Sequence, residues 1–488
     1  MNNAGLAALL SYASWEATLA VSDDERCKME ESVHTLSQAL SKGHKVYGVT
    51  QGFGPLVVYQ ADESSIDQGL GLISHLAVGQ GAPLSPEVTR LMLWLRLSGM
   101  KHGYSAVPVA FWLRLAALWN LGFTPVVPCD GSVSASGDLV PLAHAAFAFA
   151  GIGEAWEGST AAGWTRIPAQ RELSAIGAER CTWGAREALA FVNGTSASLA
   201  LTCHNHLTIM RLARTLAALT GRIACLLGMD PSAYSPGVAE VRGHVGHIRA
   251  AEWIRSELPP GSPATSGRPV QEPYSLRCAP QVIGAVIDHL CLQETLLMRE
   301  AWGCTDNPIT WQGDVLHGGN FHALPVALCS DHQALCVHQL AFLAERQLAL
   351  ILDPHHNGGK PAMLTPYPGP ASGLAGVQIA ATSFVAKIRQ LAYPATLTAL
   401  PTNLGNQDHV PMALNGANSV ADIVRLAWLI IGSLALAVTQ WTYLDQRPIE
   451  AGTIWADLAT GFHPLQHDRP LAAEVRQAAE CLERMRSD

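Results

Sequence analysis

Residues Gly131-Ser132-Val133-Ser134-Ala135-Ser136-Gly137 form a run of small side chains that stops at Asp138 and turns apolar through Leu139-Val140-Pro141-Leu142-Ala143-His144. By local pattern this is a turn entering a helix, with Asp138 as its N-cap. Tyr47 lies among Gly48, Gly52 and Gly54, a context poor for core packing and suited to presenting a side chain to a cavity. A phenol there can take a proton where donors or positive charge lower its pKa. Asn193, before Gly194-Thr195, reads alone as a turn or helix-cap residue. Tyr274 and Arg277 are three apart at the start of a helical stretch and share a face. A surface Arg is usually only solvated, but a guanidinium can grip a carboxylate in a bidentate fork.

Other chemistries find less support. The 19 His include the pairs His317/His322 and His355/His356, but neither has a Cys, Asp or Glu partner at fixed spacing, so no metal is expected. The Gly-rich stretches contain neither a G-x-x-x-x-G-K loop nor a strand-anchored G-x-G-x-x-G, and no nucleotide is expected. A net charge of −9, spread without a basic block, excludes nucleic acid as a partner. The 11 Cys include no C-x-x-C and read as reduced core thiols. The uncharged run Leu426 to Trp441 falls short of the roughly 20 residues needed to span a bilayer. It reads as a buried bundle helix, so no membrane partner is expected. The N-terminal residues carry no signal-peptide pattern, and the expected location is the cytoplasm.

Helices must position these residues. Residues 197–228, 280–302, 324–352, 373–393 and 417–441 are long periodic runs rich in Ala, Leu and Gln, which stack as a bundle. Strand signals are few: Tyr47–Thr50, Leu56–Tyr59 and fragments of 152–192. The fold class is mainly α, with residues 1–200 as a small mixed N-terminal domain and 201–488 as a helical bundle with C-terminal helices. Pro- and Gly-rich breaks at 257–273, 353–374 and 455–470 read as loops, and loops of that length are more often lids or binding loops than filler. In the 488 residues 49% are hydrophobic but only 15% charged, below the roughly 25% usual for soluble domains. Part of the surface is therefore expected to be buried in an oligomer.

The segment Ala135-Ser136-Gly137-Asp138-Leu139-Val140-Pro141-Leu142-Ala143-His144 resembles the signature of the aromatic amino acid ammonia-lyases and their related aminomutases. Further blocks agree in order and spacing: the turn from Val46 to Gly54, Phe191 to Thr195, Tyr274 to Gln281, Thr305 to Pro308 with Gly318 to Ala323, and Asn406 to Val410. The resemblance implies a long-helix bundle of the ammonia-lyase type whose N-terminal domain bears the prosthetic group 4-methylidene-imidazol-5-one (MIO), formed autocatalytically from Ala135, Ser136 and Gly137. Those residue types suit the closure. Gly137 has no Cβ to hinder its nitrogen from reaching the Ala135 carbonyl, and Ser136 can lose its hydroxyl as water. The product is an electrophile that no standard side chain supplies.

The same resemblance implies Tyr47 as the base for the β-proton, which calls for a lowered pKa, and Asn193 as a hydrogen-bond partner of the MIO or the substrate carboxylate. It implies Arg277 as the carboxylate clamp, Tyr274 as a second proton handler, the 257–273 loop as a lid and Phe321 as a wall of the ring pocket. It also implies a homotetramer, with each active site drawing on three subunits.

Substrate choice in this family follows the two residues before the G-x-G of His75-Leu76-Ala77-Val78-Gly79-Gln80-Gly81. His75-Leu76 resembles the His-Leu of tyrosine enzymes, rather than Phe-Leu (phenylalanine) or Ser-His (histidine). An imidazole can bond the para-hydroxyl of tyrosine, and a site built for a hydroxyl rejects the analogue without one. Gln407 stands where histidine enzymes carry a glutamate, and an amide cannot pair with imidazolium as a carboxylate does. His409-Val410 is histidine-enzyme-like. Gln51 replaces a usual threonine, Ser134 replaces a glycine, and residues 353–374 match no family block. The expected reaction is elimination of ammonia from L-tyrosine to trans-p-coumarate, with phenylalanine as a weaker substrate. The alternatives are histidine ammonia-lyase, tyrosine 2,3-aminomutase and, outside this chemistry, a non-catalytic helical scaffold.

Overall fold

The computed structural model describes residues 5–259 and 267–484. The chain is mainly helical, and the expected long runs are helices Ser196–Leu227, Ala279–Ala301, Leu324–Leu352, Ala375–Leu391 and Ala413–Leu444. The last is longer than the uncharged run in the sequence, so its length alone would let it cross a bilayer, contrary to the sequence argument. Within the protein 78% of its most apolar window is buried. Part of the expected 257–273 lid, residues 260–266, lies outside the described residues.

The chain divides into two compact units, each discontinuous in sequence. The first comprises Met1–His204, Glu294–Asp331 and Pro394–Asn418; the second comprises Asn205–Gln293, His332–Tyr393 and Ser419–Asp488. The single cut near residue 200 expected from composition omits the two later returns to the first unit. Composition cannot show them, because the helices 196–227, 279–301, 324–352 and 413–444 each give one stretch to each unit without a break in their apolar periodicity.

In the first unit, strands β1 (Gln80–Pro83) and β3 (Pro128–Asp130) pair antiparallel, β2 (Thr124–Pro125), β4 (Glu154–Ser159) and β5 (Gly163–Pro168) form a sheet in the order β2-β4-β5, and β6 (Ile309–Trp311) and β7 (Asp314–Leu316) make a hairpin. The strands expected at 47–50 and 56–59 do not form. Isolated bridges join Tyr47 to Gln51 and Gln51 to Gln60, while Gly54–Val58 is a 3-10 turn opened by Pro55, which cannot donate to a strand ladder. Helices Ser65–Leu76, Leu139–Phe149 and Ala185–Val192 pack on one another, fixing the ends that carry His75, Asp138 and Asn193.

The second unit is built on an apolar core that includes Leu216, Ile287, Leu340, Ile423 and the fully buried Trp441. Gly432 lets two helices close up, since a Cβ there would come within 2.5 Å of the Val475 carbonyl on helix Ala472–Glu483. Two of the expected loops are more structured than composition suggests. Buried Gln440 donates to the carbonyls of Leu364 (3.0 Å) and Leu465 (3.1 Å) and accepts from Leu465 N (2.8 Å), tying down both 353–374 and 455–470. The latter also contains helix Ile454–Gly461.

Candidate active site

The triad Ala135-Ser136-Gly137 sits in a tightly folded turn of the first unit, just before helix 139–149. An isolated bridge pairs Ala135 with Gly137 across Ser136. Gly137 has φ +72°, and a Cβ there would lie 2.5 Å from the backbone of Gly194, so only glycine fits. Two amides bracket the serine: Asn193 Nδ2 donates to the Ser136 carbonyl at 2.7 Å, and Gln407 Nε2 donates to Ser136 Oγ at 2.8 Å. Asn193 is buried, and its Oδ1 has no partner.

Asp138 is not the cap its position suggests. It makes no side-chain cap bond, and its fully buried carboxylate is held by Ser132 Oγ (3.2 Å), Ser134 Oγ (2.7 Å), Ser198 N (2.7 Å) and Ser198 Oγ (2.8 Å). Burial pushes its pKa up, and these four donors oppose the shift. Meanwhile Asp138 N donates to the Gly194 carbonyl at 2.7 Å, locking the turn to the Asn193 loop. Ser134 has φ +57°, a left-handed backbone that favours glycine. Here the serine accepts from Leu414 N through Oγ at 3.1 Å. Met412 N also donates to Val133 O at 3.1 Å, so the segment bearing Gln407 is fastened to the triad turn.

The Tyr47 turn is held from another side. Arg186, on helix 185–192, pairs with Asp306 and donates to Ser105 O at 2.7 Å and to Pro308 O at 3.0 Å. Asn307 Oδ1 accepts from Gly318 N at 2.7 Å, and His317 Nε2 accepts from Tyr47 N at 3.1 Å. The Tyr47 hydroxyl accepts from Gly54 N at 2.8 Å. Burial raises the Tyr47 pKa, against the lowering expected for a base, and the hydrogen bond from the Gly54 amide opposes it. Phe321 is half-buried two residues before Ala323, whose N donates to Ser134 O at 3.3 Å. His322 and His409 contact each other, Nε2 to Nδ1, at 3.2 Å.

His75, the penultimate residue of helix 65–76, is exposed and bonds its own Gly71 carbonyl through Nδ1 at 3.0 Å; Leu76 is half-buried. Tyr274 and Arg277 belong to the second unit, where the guanidinium lies 4.5 Å from the tyrosine ring centroid and Tyr274 is 71% exposed. Sequence reasoning missed the carboxylate role of Asp138, the hydroxyls of Ser132 and Ser198, and the half-buried Glu300 that accepts from Thr195 Oγ1 at 2.7 Å. The apolar helix after Asp138 signals a cap, and nothing local marks Ser198 as its partner. Among the described residues no group of three or more His, Cys, Asp or Glu gathers as metal ligands; His355 instead pairs with Asp353.

The mainly helical chain thus carries an Ala-Ser-Gly turn that only glycine can close, set between two amide donors. The chain belongs to the aromatic amino acid lyase family, which it matches over residues 4–462, and is a carbon–nitrogen lyase of that MIO-dependent group. It is similar to tyrosine aminomutase from Streptomyces globisporus, at 28% identity over 99% of this chain and 95% of that one, with a TM-score of 0.90. It is also similar to histidine ammonia-lyase from Trypanosoma cruzi, at 26% identity over 98% and 91%, with a TM-score of 0.85. Phenylalanine aminomutase from Pantoea agglomerans shares the fold at 23% identity over 99% and 98%, with a TM-score of 0.89.

Proposed function

We propose that the protein eliminates ammonia from L-tyrosine to give trans-p-coumarate, with phenylalanine as a weaker substrate. The observation that carries the reading is the pair of amide donors on Ser136, from Asn193 and Gln407, around a turn only Gly137 can close. The residues fit the MIO group: backbone contact excludes any Cβ at Gly137, and buried Asn193 Oδ1 is left free to accept. Once formed, that group supplies an electrophile that makes the substrate amine a better leaving group. The chain's own residues do the rest. Tyr47 takes the β-proton at its phenolate oxygen as the double bond forms and ammonia departs.

His75-Leu76, and an amide rather than a carboxylate at Gln407, support tyrosine over histidine. Tyrosine aminomutase is the second reading. It is favoured by the 28% identity to the Streptomyces globisporus enzyme over nearly the whole chain. That chemistry returns the ammonia to the β-carbon.

Homotetramer formation belongs to the same proposal. Large apolar side chains stand exposed on the first unit's turns, among them Val58 at 76%, Leu400 at 75% and Leu404 at 92%, and an assembly would cover them. Arg277 and the exposed Tyr274 then serve a site in a neighbouring subunit, where Arg277 clamps the carboxylate. A cytoplasmic setting belongs to the same proposal and suits a sequence whose 11 Cys include no C-x-x-C pair. Chromatography of the products from L-tyrosine tests the reading. p-Coumarate that is lost in Ser136→Ala supports it, whereas β-tyrosine as the main product selects the aminomutase.

A further inference from the structure

The second unit holds a cavity of about 500 Å³ between helices 375–391, 413–444 and 472–483, and none of the candidate active-site residues lines it. Its walls are apolar, from Val377 and Phe384 on one helix, Leu429 on the next and Val475 on the third. Three guanidiniums, Arg425, Arg469 and Arg476, line the same space. Arg469 is half-buried, while Arg425 and Arg476 are exposed and keep their charges in water at the rim of the apolar walls.

The carboxylates nearby are largely committed. Glu474 pairs with Arg469 at 2.8 Å. Asp468 accepts from the backbone amides of Ser372 (3.1 and 2.9 Å) and Gly373 (3.0 Å). Asp422, three residues before Arg425 on the same helix, makes no ion pair with it, and neither Arg425 nor Arg476 has an acidic partner within 4.0 Å among the described residues. Arg469 is held in place as well, donating to the His463 carbonyl at 2.6 Å and lying 5.5 Å from the Phe462 ring centroid. A clamp of two uncommitted cations, one pre-positioned cation and an apolar floor recognises a small anion joined to a flat apolar body. A bare inorganic anion would leave the floor wet, and an uncharged aromatic would leave Arg425 and Arg476 unanswered.

We propose that this cavity binds an aryl carboxylate. The ligand class is read from the cavity alone; the reaction proposed above happens to release anions of this class, so the site would answer product.

The probe is trans-cinnamate, titrated calorimetrically into the intact enzyme. Two classes of binding site are expected, the second weakened by salt and unfilled by either cinnamyl alcohol or acetate. In R425A/R476A this class should weaken by about tenfold or more, with turnover of the amino acid substrate unchanged. Ala380→Trp, which fills the floor without touching charge, should remove the same class. An isotherm unaltered by both variants, or a loss that only accompanies a change in oligomeric state on gel filtration, overturns the proposal. The isotherm is read without turnover, so its failure is separate from a failure to convert tyrosine.

Discussion

Ser134 offers the clearest test of how the triad turn is held, because its backbone and its side chain pull in opposite directions. Its φ of +57° costs a non-glycine residue about 1–2 kcal/mol. Its hydroxyl donates to buried Asp138 at 2.7 Å, a bond to a carboxylate contributing about 1.5–3 kcal/mol, and accepts from Leu414 N at 3.1 Å, contributing about 1 kcal/mol. Ser134→Ala keeps the backbone strain and loses both bonds, for a cost of about 2.5–4 kcal/mol. Ser134→Gly loses the same bonds but relieves the strain, less about 0.5–1 kcal/mol for the greater freedom of glycine in the unfolded chain. The glycine variant should therefore be the more stable of the two by up to about 1.5 kcal/mol, with both below the parent protein. Urea unfolding at matched protein concentration reads the order, and intact-mass measurement reads how far Ser136 has lost water in each. Alanine at or above the stability of the parent would refute the account of Asp138 as the anchor of the turn. Alanine above glycine would refute the backbone strain assigned to Ser134.

Other outcomes follow from the same geometry. Gly137→Ala places a methyl 2.5 Å from Gly194, so the chain should fold with Ser136 unprocessed and show no turnover, read by mass spectrometry and ultraviolet assay. Burial raises the Tyr47 pKa, so turnover should climb with pH through neutrality into the alkaline range as the phenolate becomes populated, and Tyr47→Phe should abolish it. The sign for stability is opposite. The unfolded phenol ionises first, so the contribution of Tyr47 is lost as pH rises past the ordinary tyrosine range of about 10. Gln407→Glu should raise kcat/KM for histidine relative to tyrosine, and His75→Phe should move preference toward phenylalanine; unchanged ratios in both would mean that these positions do not face the ring.

The long helices were legible because their apolar periodicity is sustained over many turns, and the triad was legible because Ala135-Ser136-Gly137 is followed by the whole block to His144. Gly137 could also be reasoned from residue type alone, and its left-handed φ and contact with Gly194 supply the physical reason. What the sequence hid is non-local. Asp138 looks like a cap because its nearest neighbours form a helix, but its partners include Ser198, 60 positions away. The Tyr47 turn resembles a strand because Val46, Val49 and the 56–59 run are β-formers, yet Pro55 and the close approach of Gly52 to the Leu56 carbonyl, 2.7 Å from an ideal Cβ, favour a 3-10 turn. The Tyr47 pKa was read in the wrong direction for a related reason. Donors lower a phenol's pKa, but the sequence cannot reveal that burial outweighs the Gly54 amide that meets the Tyr47 hydroxyl.

The account stands or falls on what the enzyme does with competing amino acids. Purified protein would be given equimolar L-tyrosine, L-phenylalanine and L-histidine in one reaction, with the products separated and followed over time. A site with His75-Leu76 at the ring and Gln407 beside Ser136 predicts p-coumarate as the leading product, cinnamate behind it and essentially no urocanate. Urocanate without p-coumarate would contradict it.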